Sequence, residues 1–114
     1  MLPFRHRLTL PQRICEFDRV AFRRSTHVPC IVERGTRGEP VIPKEKFLVP
    51  HDLTVPQFAY AVRKQLTLTS SDALFLMIGG TIPSFHTAME HLYQMHRSDD
   101  GFLYVTYVIE NTFG

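Results

Sequence analysis

Residues 99–114, which read DDGFLYVTYVIENTFG, decide the fold of this chain. An acidic turn ends at Gly101, and the aromatic and β-branched residues that follow are typical of a strand buried on both faces. The polarity changes at Glu110, and the sequence ends at Gly114. We therefore predict a central strand that leads into a short polar tail. Because glycine has no Cβ, such a tail could enter a narrow enzyme channel with its carbonyl accessible.

Length and composition favour one globular domain. The chain has 114 residues, of which 44% are hydrophobic, and this is enough for a single core. There is no apolar run of about 18 residues that would span a membrane, and no N-terminal segment of the secretory-signal type. Cys15 and Cys30 are too few for a disulfide framework, so we expect reduced thiols and a cytoplasmic location.

Charge is unevenly distributed along the chain. Residues 1–50 carry ten Lys or Arg against five Asp or Glu, whereas residues 51–114 carry three against six. The basic first half predicts an acidic partner or an anionic surface, and the arginines near the N-terminus could touch anionic lipid. No basic motif with interleaved aromatic residues is present, so the sequence predicts no nucleic-acid partner.

Apolar spacing, prolines and glycines together predict an ordered set of helices and strands. These are helices at 1–11 and 12–24, strands at 28–34 and 44–50, a helix at 54–66, a strand at 73–78, a short helix from residue 87 and a final strand at 102–109. The final strand fits the centre of the sheet. The order after the first helices is ββαβ(α)β, which is the order of an α+β, ubiquitin-like β-grasp with a four-stranded mixed sheet, preceded by one or two helices.

Local signals place several of these elements. Ile14, Phe17 and Ala21 form one stripe of the second helix. Thr54 with Gln57, and Thr87 with Glu90, have the spacing of capping boxes. Pro29 has no N–H to give to a ladder, so we expect it at an edge or at the start of a strand. The predicted division is an N-terminal helical extension at 1–25, a β-grasp core at 26–109 and a flexible conjugation tail at 110–114.

Several motifs occur in the order found in one family. They are FLVP at 47–50, LTV at 53–55 with QF at 57–58, VRK at 62–64, LYQ at 92–94, DGFLYVTY at 100–107 and ENTFG at 110–114. With these motifs the chain resembles the autophagy-related ubiquitin-like modifiers, the relatives of GABARAP and of the microtubule-associated protein light chain. The likeness runs from about residue 12 to residue 114.

The resemblance implies a conjugated modifier that is not an enzyme. Gly114 would be activated, carried as a thioester by activating and conjugating enzymes, and joined to phosphatidylethanolamine, with no other cofactor. A lipid-anchored pool on autophagosomal membranes would then act as a scaffold in autophagosome formation and cargo recruitment. A processing and deconjugating cysteine protease would be a further partner. The alternative is a ubiquitin-like, peptide-binding adaptor that is never conjugated.

The resemblance also implies receptors and adaptors that carry an aromatic-x-x-aliphatic motif and bind as an added strand. The aromatic pocket would be lined by Glu16, Val20, Pro29, Ile31, Lys46, Leu48 and Phe102. The aliphatic pocket would be lined by Phe47, Val49, Pro50, Leu53, Phe58 and Val62. Without the resemblance, Val20, Ile31, Leu48 and Phe102 read as ordinary core. Gln65 stands where the family usually has an arginine, which predicts an altered range of partners.

Other candidate sites have weak support in the sequence. His86, His91 and His96 are five residues apart, which is not the i, i+4 spacing of a helical ligand pair, so we predict no metal site. Neither cysteine lies in a catalytic signature, and Cys30 fits a core strand as a small hydrophobic residue. No residue spacing indicates a catalytic site.

Overall fold

The computed structural model describes residues 2–36 and 38–111, and its elements follow the predicted order. The helices are α1 (Phe4–Arg7), α2 (Leu10–Asp18), α3 (Val55–Leu66) and α4 (Met89–His96), with a 3₁₀ turn at Ala21–Arg23. The strands are β1 (His27–Arg34), β2 (Lys46–Pro50), β3 (Asp72–Met77) and β4 (Leu103–Asn111).

The four strands form one mixed sheet in the order β2-β1-β4-β3. β1 pairs in parallel with β4, and the other two pairings are antiparallel. β4 is therefore central, as its apolar sequence predicted, and β2 and β3 are the two edges. This confirms the ubiquitin-like α+β fold with helices ahead of the sheet.

Helix starts follow the local sequence. The Thr9 N–H donates to the Gln12 side chain at 2.8 Å, with Pro11 in the first turn of α2. The Thr54 N–H likewise donates to Gln57 Oε1 at 2.9 Å at the start of α3, which confirms that predicted start. Each bond satisfies a donor that a helix start leaves without an intrahelical partner.

The helix predicted at 12–24 is shorter in the structure. α2 ends at Asp18, and a 3₁₀ turn follows. After this break, Val20 is partly buried and packs, as Phe17 does, against the cluster of Phe4, Ile31 and Phe102. The stripe prediction was wrong for Ile14, which is 38% exposed, and no residue of α2 is fully covered.

The capping box predicted at residues 87–90 is absent, and Ala88 is the N-cap of α4 without a side-chain cap. Thr87 instead accepts the Val55 N–H through its backbone oxygen at 3.3 Å. The Glu90 carboxylate accepts two hydrogen bonds from Arg24, at 2.8 and 3.1 Å. The start of α4 is therefore fixed by tertiary contacts with α3 and with the segment before β1.

The start of β1 and the end of β4 can be compared with the predicted boundaries. Pro29 is the third residue of β1, one residue before pairing with β4 begins at Cys30, which agrees with a strand start. β4 continues through Glu110 and Asn111, which pair with Ala73 and Asp72. The predicted tail was therefore placed two residues too early, because β3 is long enough to pair with them. Residues 112–114 lie outside the described residues.

Two apolar clusters lie on opposite faces of the sheet. The larger one lies under α3 and α4 and contains fully buried residues such as Phe58, Val62, Met89 and Val105. The smaller one has three buried residues, Phe4, Ile31 and Phe102, under α1 and α2. The predicted single domain is thus one sheet covered on both faces, with the N-terminal helices forming the thinner layer.

Candidate functional site

The outer edge of β2 presents backbone groups to solvent. In the part of the chain that the structure describes, β2 pairs only with β1. The Val32 N–H donates to the Glu45 oxygen at 2.8 Å. Val32 and Glu45 are therefore a hydrogen-bonded pair. Along an antiparallel ladder such pairs alternate with pairs that are not hydrogen-bonded, so the N–H and C=O groups of Lys46 and Leu48 point away from β1. Opposite Leu48 lies Pro29, which has no N–H to give.

Side chains of β2 alternate between the two faces of the sheet. Phe47 and Val49 turn towards α3, and the Phe47 ring meets Phe58 edge to face at 5.6 Å between centroids. Lys46 and Leu48 turn towards α2. The two predicted pockets therefore lie on opposite faces of the same edge strand.

A surface pocket of about 270 Å³ lies between β2 and Val20, which follows α2 in the chain. It is lined by Val20, Pro29, Lys44, Lys46, Phe47, Leu48 and Phe102. Five of the residues predicted for the aromatic pocket are thus brought together. Lys44 was missed, although its position two residues before Lys46 places it on the same face of an extended chain.

Two residues predicted for the aromatic pocket lie elsewhere. Glu16 is at the rim, with Oε2 3.3 Å from Lys46 Nζ and 3.8 Å from Arg19 Nε. Ile31 is fully buried beneath the pocket in the smaller cluster. Ile31 therefore supports the floor without touching an occupant, and Glu16 partly neutralises Lys46 while the pocket is empty.

The floor of the pocket is Phe102, which two rings from the N-terminal helices hold in place. Phe4 and Phe17 meet Phe102 edge to face, at 5.6 and 5.8 Å between centroids. A Cβ on Gly101, whose φ is +98°, would lie 2.6 Å from the Phe17 ring. Glycine is therefore required at residue 101 for this approach.

Asp100 fixes the backbone of the same floor. Its carboxylate is buried, accepts a hydrogen bond from Arg13 Nη1 at 2.8 Å, and accepts the Phe102 N–H at 2.9 Å. The Tyr104 hydroxyl also donates to Asp100. Burial first, and then this hydrogen bond, raise the pKa of Tyr104. No local pattern predicts the Arg13–Asp100 pair, because the two residues are 87 positions apart in the chain.

The residues predicted for the aliphatic pocket cluster beside β2 but are mostly covered. Val49, Phe58 and Val62 are buried in the main core. Phe47 and Leu53 are partly buried against it, and Pro50 is exposed. An incoming side chain would first meet Phe47 and Leu53, and contact with Phe58 or Val62 would require these two to move.

Other reactive groups are placed apart from this edge. Burial raises the pKa of the Cys30 thiol, which agrees with its predicted role as a core residue, and Cys15 is exposed. Over residues 2–36 and 38–111, no three His, Cys, Asp or Glu side chains converge as metal ligands. In the same ranges no helix has the length and apolar character to cross a membrane. Gly114, the predicted conjugation residue, lies outside the described residues.

Comparisons with known proteins agree on one family. The family described as "Autophagy protein Atg8 ubiquitin like" matches residues 12–114. Autophagy-related protein 8 of Kluyveromyces lactis is 41% identical over 112 residues, which cover 97% of this chain and 90% of that relative.

Solved structures agree with the fold. The crystal structure of Trypanosoma brucei ATG8 has a TM-score of 0.87 and 32% identity, covering all of this chain and 99% of that one. Plasmodium falciparum Atg8, solved in complex with a Plasmodium falciparum Atg3 peptide, has a TM-score of 0.84. At 24% identity, over 95% of this chain and 96% of that one, the second likeness concerns the fold alone.

Proposed function

The chain belongs to the Atg8 family of ubiquitin-like autophagy proteins, and from this premise we propose that it is a lipid-conjugated modifier that binds receptor peptides along β2. It is a scaffold and a conjugation substrate, not an enzyme. Activating and conjugating enzymes join Gly114 to the amine of phosphatidylethanolamine. A cytoplasmic pool and a lipid-anchored pool on autophagosomal membranes result, and a cysteine protease processes and deconjugates the protein.

The observation that carries the peptide-binding part is the outer edge of β2. An extended peptide added there can accept and donate hydrogen bonds with the outward backbone groups of Lys46 and Leu48. Residues i and i+3 of an extended strand point to opposite faces. An aromatic-x-x-aliphatic motif therefore directs its two side chains to the pocket floored by Phe102 and to the patch around Phe47.

Charge around the pocket favours acidic residues next to the peptide aromatic. Lys44 and Lys46 both line the pocket, while Glu16 is already paired with Lys46 at 3.3 Å. An acidic flank can replace Glu16 as the partner of Lys46. Such rim contacts mainly raise the association rate and the specificity. Gln65, on α3, brings no positive charge to this partner surface.

Strand addition can be tested separately from pocket filling. Leu48→Pro removes an outward N–H without removing a bond to β1, whereas Leu48→Ala keeps that N–H and shortens the side chain. We expect calorimetric titration with an aromatic-x-x-aliphatic peptide to show about tenfold or greater weakening by Leu48→Pro. Smaller weakening by Leu48→Pro than by Leu48→Ala would contradict strand addition.

Conjugation is tested at Gly114. We expect Gly114→Ala to abolish the membrane-bound form in cells while the purified variant keeps its far-UV circular dichroism. Gly38→Ala is the matched control, because a Cβ there meets nothing closer than 3.5 Å. Normal membrane partitioning of Gly114→Ala would refute the conjugation proposal.

The family also has a member solved with an Atg3 peptide, which supports a conjugating-enzyme partner for this chain. The alternative, an adaptor that is never conjugated, predicts peptide binding without thioester formation. Incubation with the activating enzyme and ATP should give a covalent adduct that thiol reductants remove. If peptides bind and no such adduct forms, the adaptor is the correct function.

A further inference from the structure

A second pocket lies away from β2, where α1 and the end of α4 meet β4. Its volume is about 390 Å³. Its polar and backbone lining comes from Arg5, Gly79, Gly80, His96, Ser98 and Thr106, over the ring of Tyr104 and beside Met77. We call it the donor pocket. It shares no lining residue with the pocket floored by Phe102.

The donor pocket has N–H and O–H donors and no carboxylate in its lining. We propose that the donor pocket binds a phosphate monoester group. A phosphate presents several acceptor oxygens in a tetrahedral arrangement, and its charge favours sites where donors converge from different elements. Here they converge from α1, the β3–α4 turn, the end of α4 and β4.

Arg5 is held in place by two contacts. Its guanidinium lies 4.1 Å from the centroid of the Tyr104 ring, and its Nη2 donates to Glu33 Oε1 at 2.7 Å. A guanidinium has five N–H donors, so the bond to Glu33 leaves others for a ligand. Glu33 offsets part of the positive charge of Arg5, which lowers the expected affinity for an anion.

His96 lies against the glycine turn. A Cβ on Gly79 would be 2.4 Å from His96 Nδ1, and Gly79 has a φ of +62°. The ring can therefore approach only because residue 79 has no side chain. This contact sets His96 at the pocket wall, where a ring nitrogen can donate to a phosphate oxygen.

The fold uses only part of the remaining donors, since the Ser98 N–H donates to the Phe102 oxygen at 2.8 Å. Ile78 and Thr81 close the turn through their own backbone bonds, at 2.9 and 3.3 Å. Within the described ranges, the N–H groups of Gly79 and Gly80 have no hydrogen-bond partner, and neither has the Thr106 hydroxyl. Polar groups at the wall of a pocket that have no protein partner are available to water or to a ligand.

The pocket can be tested by amide NMR titration of the full chain with inorganic phosphate and with glycerol 3-phosphate. We expect saturable shifts at Gly79, Gly80, Ser98 and Thr106, with glycerol as the neutral control. Sodium chloride at matched ionic strength should leave these amides unshifted. Equal shifts with chloride, or shifts located only elsewhere, would overturn the proposal.

Variants then assign the binding to this pocket. Arg5→Gln and Thr106→Val each remove donors, and we expect about tenfold and about threefold weaker binding of glycerol 3-phosphate. Arg7→Gln on the same helix is the matched control, because Arg7 pairs with Glu45 and does not line the pocket. Binding that survives both pocket variants, or falls equally in the control, would refute the assignment.

Vesicles can show whether the phosphate group belongs to a lipid or to a soluble ester. Phosphatidylcholine vesicles with phosphatidic acid present the same monoester on a lipid, and phosphatidylcholine alone is the control. If the pocket amides respond to both glycerol 3-phosphate and these vesicles, the ligand is a lipid headgroup. If they respond to glycerol 3-phosphate alone, the ligand is a soluble ester. A response to neither would overturn the proposal.

Discussion

The two faces of the sheet differ in what covers them and in what they expose. One face packs under α3 and α4 against a large, closed core that includes Phe58 and Val62. The other is covered by short helices over a three-residue cluster, and the pocket floored by Phe102 opens beside it. The thick layer stabilises the fold, whereas the thin layer positions a surface that a partner can reach.

The comparison also separates two kinds of interaction. The large core depends on apolar burial, which is roughly proportional to area. The smaller cluster depends on a few directed contacts, namely the rings of Phe4 and Phe17 around Phe102 and the bonds to Asp100. Substitutions should therefore affect stability most on the first face and binding most on the second.

The largest expected effect is on the thick layer. Phe58→Ala removes a fully buried ring that also meets Phe47, and we expect a loss of about 3–5 kcal/mol in the free energy of unfolding. Denaturant titration measures it. Phe85→Ala, at a site that is 75% exposed, is the control and should cost less than about 0.5 kcal/mol. Similar losses in both variants would remove the distinction between core and surface.

A smaller effect is expected on the thin layer. Arg13→Ala leaves the buried Asp100 carboxylate with the Phe102 N–H and the Tyr104 hydroxyl but without its cation. We expect a loss of about 1–3 kcal/mol in stability.

Peptide affinity should also fall in Arg13→Ala, because Asp100 positions the pocket floor. Arg23→Ala, an exposed arginine whose guanidinium lies over the Phe22 ring, is the control for charge. If Arg13→Ala lowers stability and leaves peptide affinity unchanged, Asp100 does not position the floor.

A third effect depends on pH and tests the thick layer. The hydrogen bonds from Arg24 lower the pKa of Glu90. A folded-state pKa below the unfolded value adds stability that is complete above the ordinary glutamate pKa of about 4.3 and is lost as the pH falls through the folded value. We expect Glu90→Gln to cost about 1 kcal/mol at neutral pH and to flatten this part of the acid stability profile. An unchanged profile would contradict the role of the pair.

The smallest expected effect on stability is at the rim of the pocket. Lys46→Ala removes an exposed ion pair with Glu16, and such pairs contribute about 0–1 kcal/mol. Binding should respond more than folding. We expect a slower association rate with a peptide that carries an acidic flank, and a weaker dependence on salt, measured by stopped flow. An unchanged salt dependence would exclude Lys46 as the attracting charge.

Sequence patterns predicted the elements well where the signal is local. The order of strands, the central β4 and the start of α3 at Thr54 depend on apolar spacing and on neighbours within a few residues. The predicted start of α4 failed for the opposite reason. Thr87 and Glu90 have the right spacing, yet they bond to Val55 and Arg24, which are distant along the chain.

The site shows the same division between local and distant information. The resemblance to a family predicted that Val20, Leu48 and Phe102 line one pocket, and the structure brings these three residues together. From the residues alone Ile31 is predicted as core, and it is fully buried, so the pocket role implied by the resemblance was wrong for it. Nothing in the sequence indicated that Asp100 would bind Arg13, because such a pairing depends on which helix lies over which strand.

By itself, the sequence determined the α+β class, the order of the elements and the apolar strand at the centre of the sheet. These follow from periodicity and from local hydrogen bonding. Only the tertiary structure decided which rings hold Phe102, and that Arg5 and His96 share a pocket. Such contacts join residues far apart in the chain, and their geometry is fixed only when both faces of the sheet are packed.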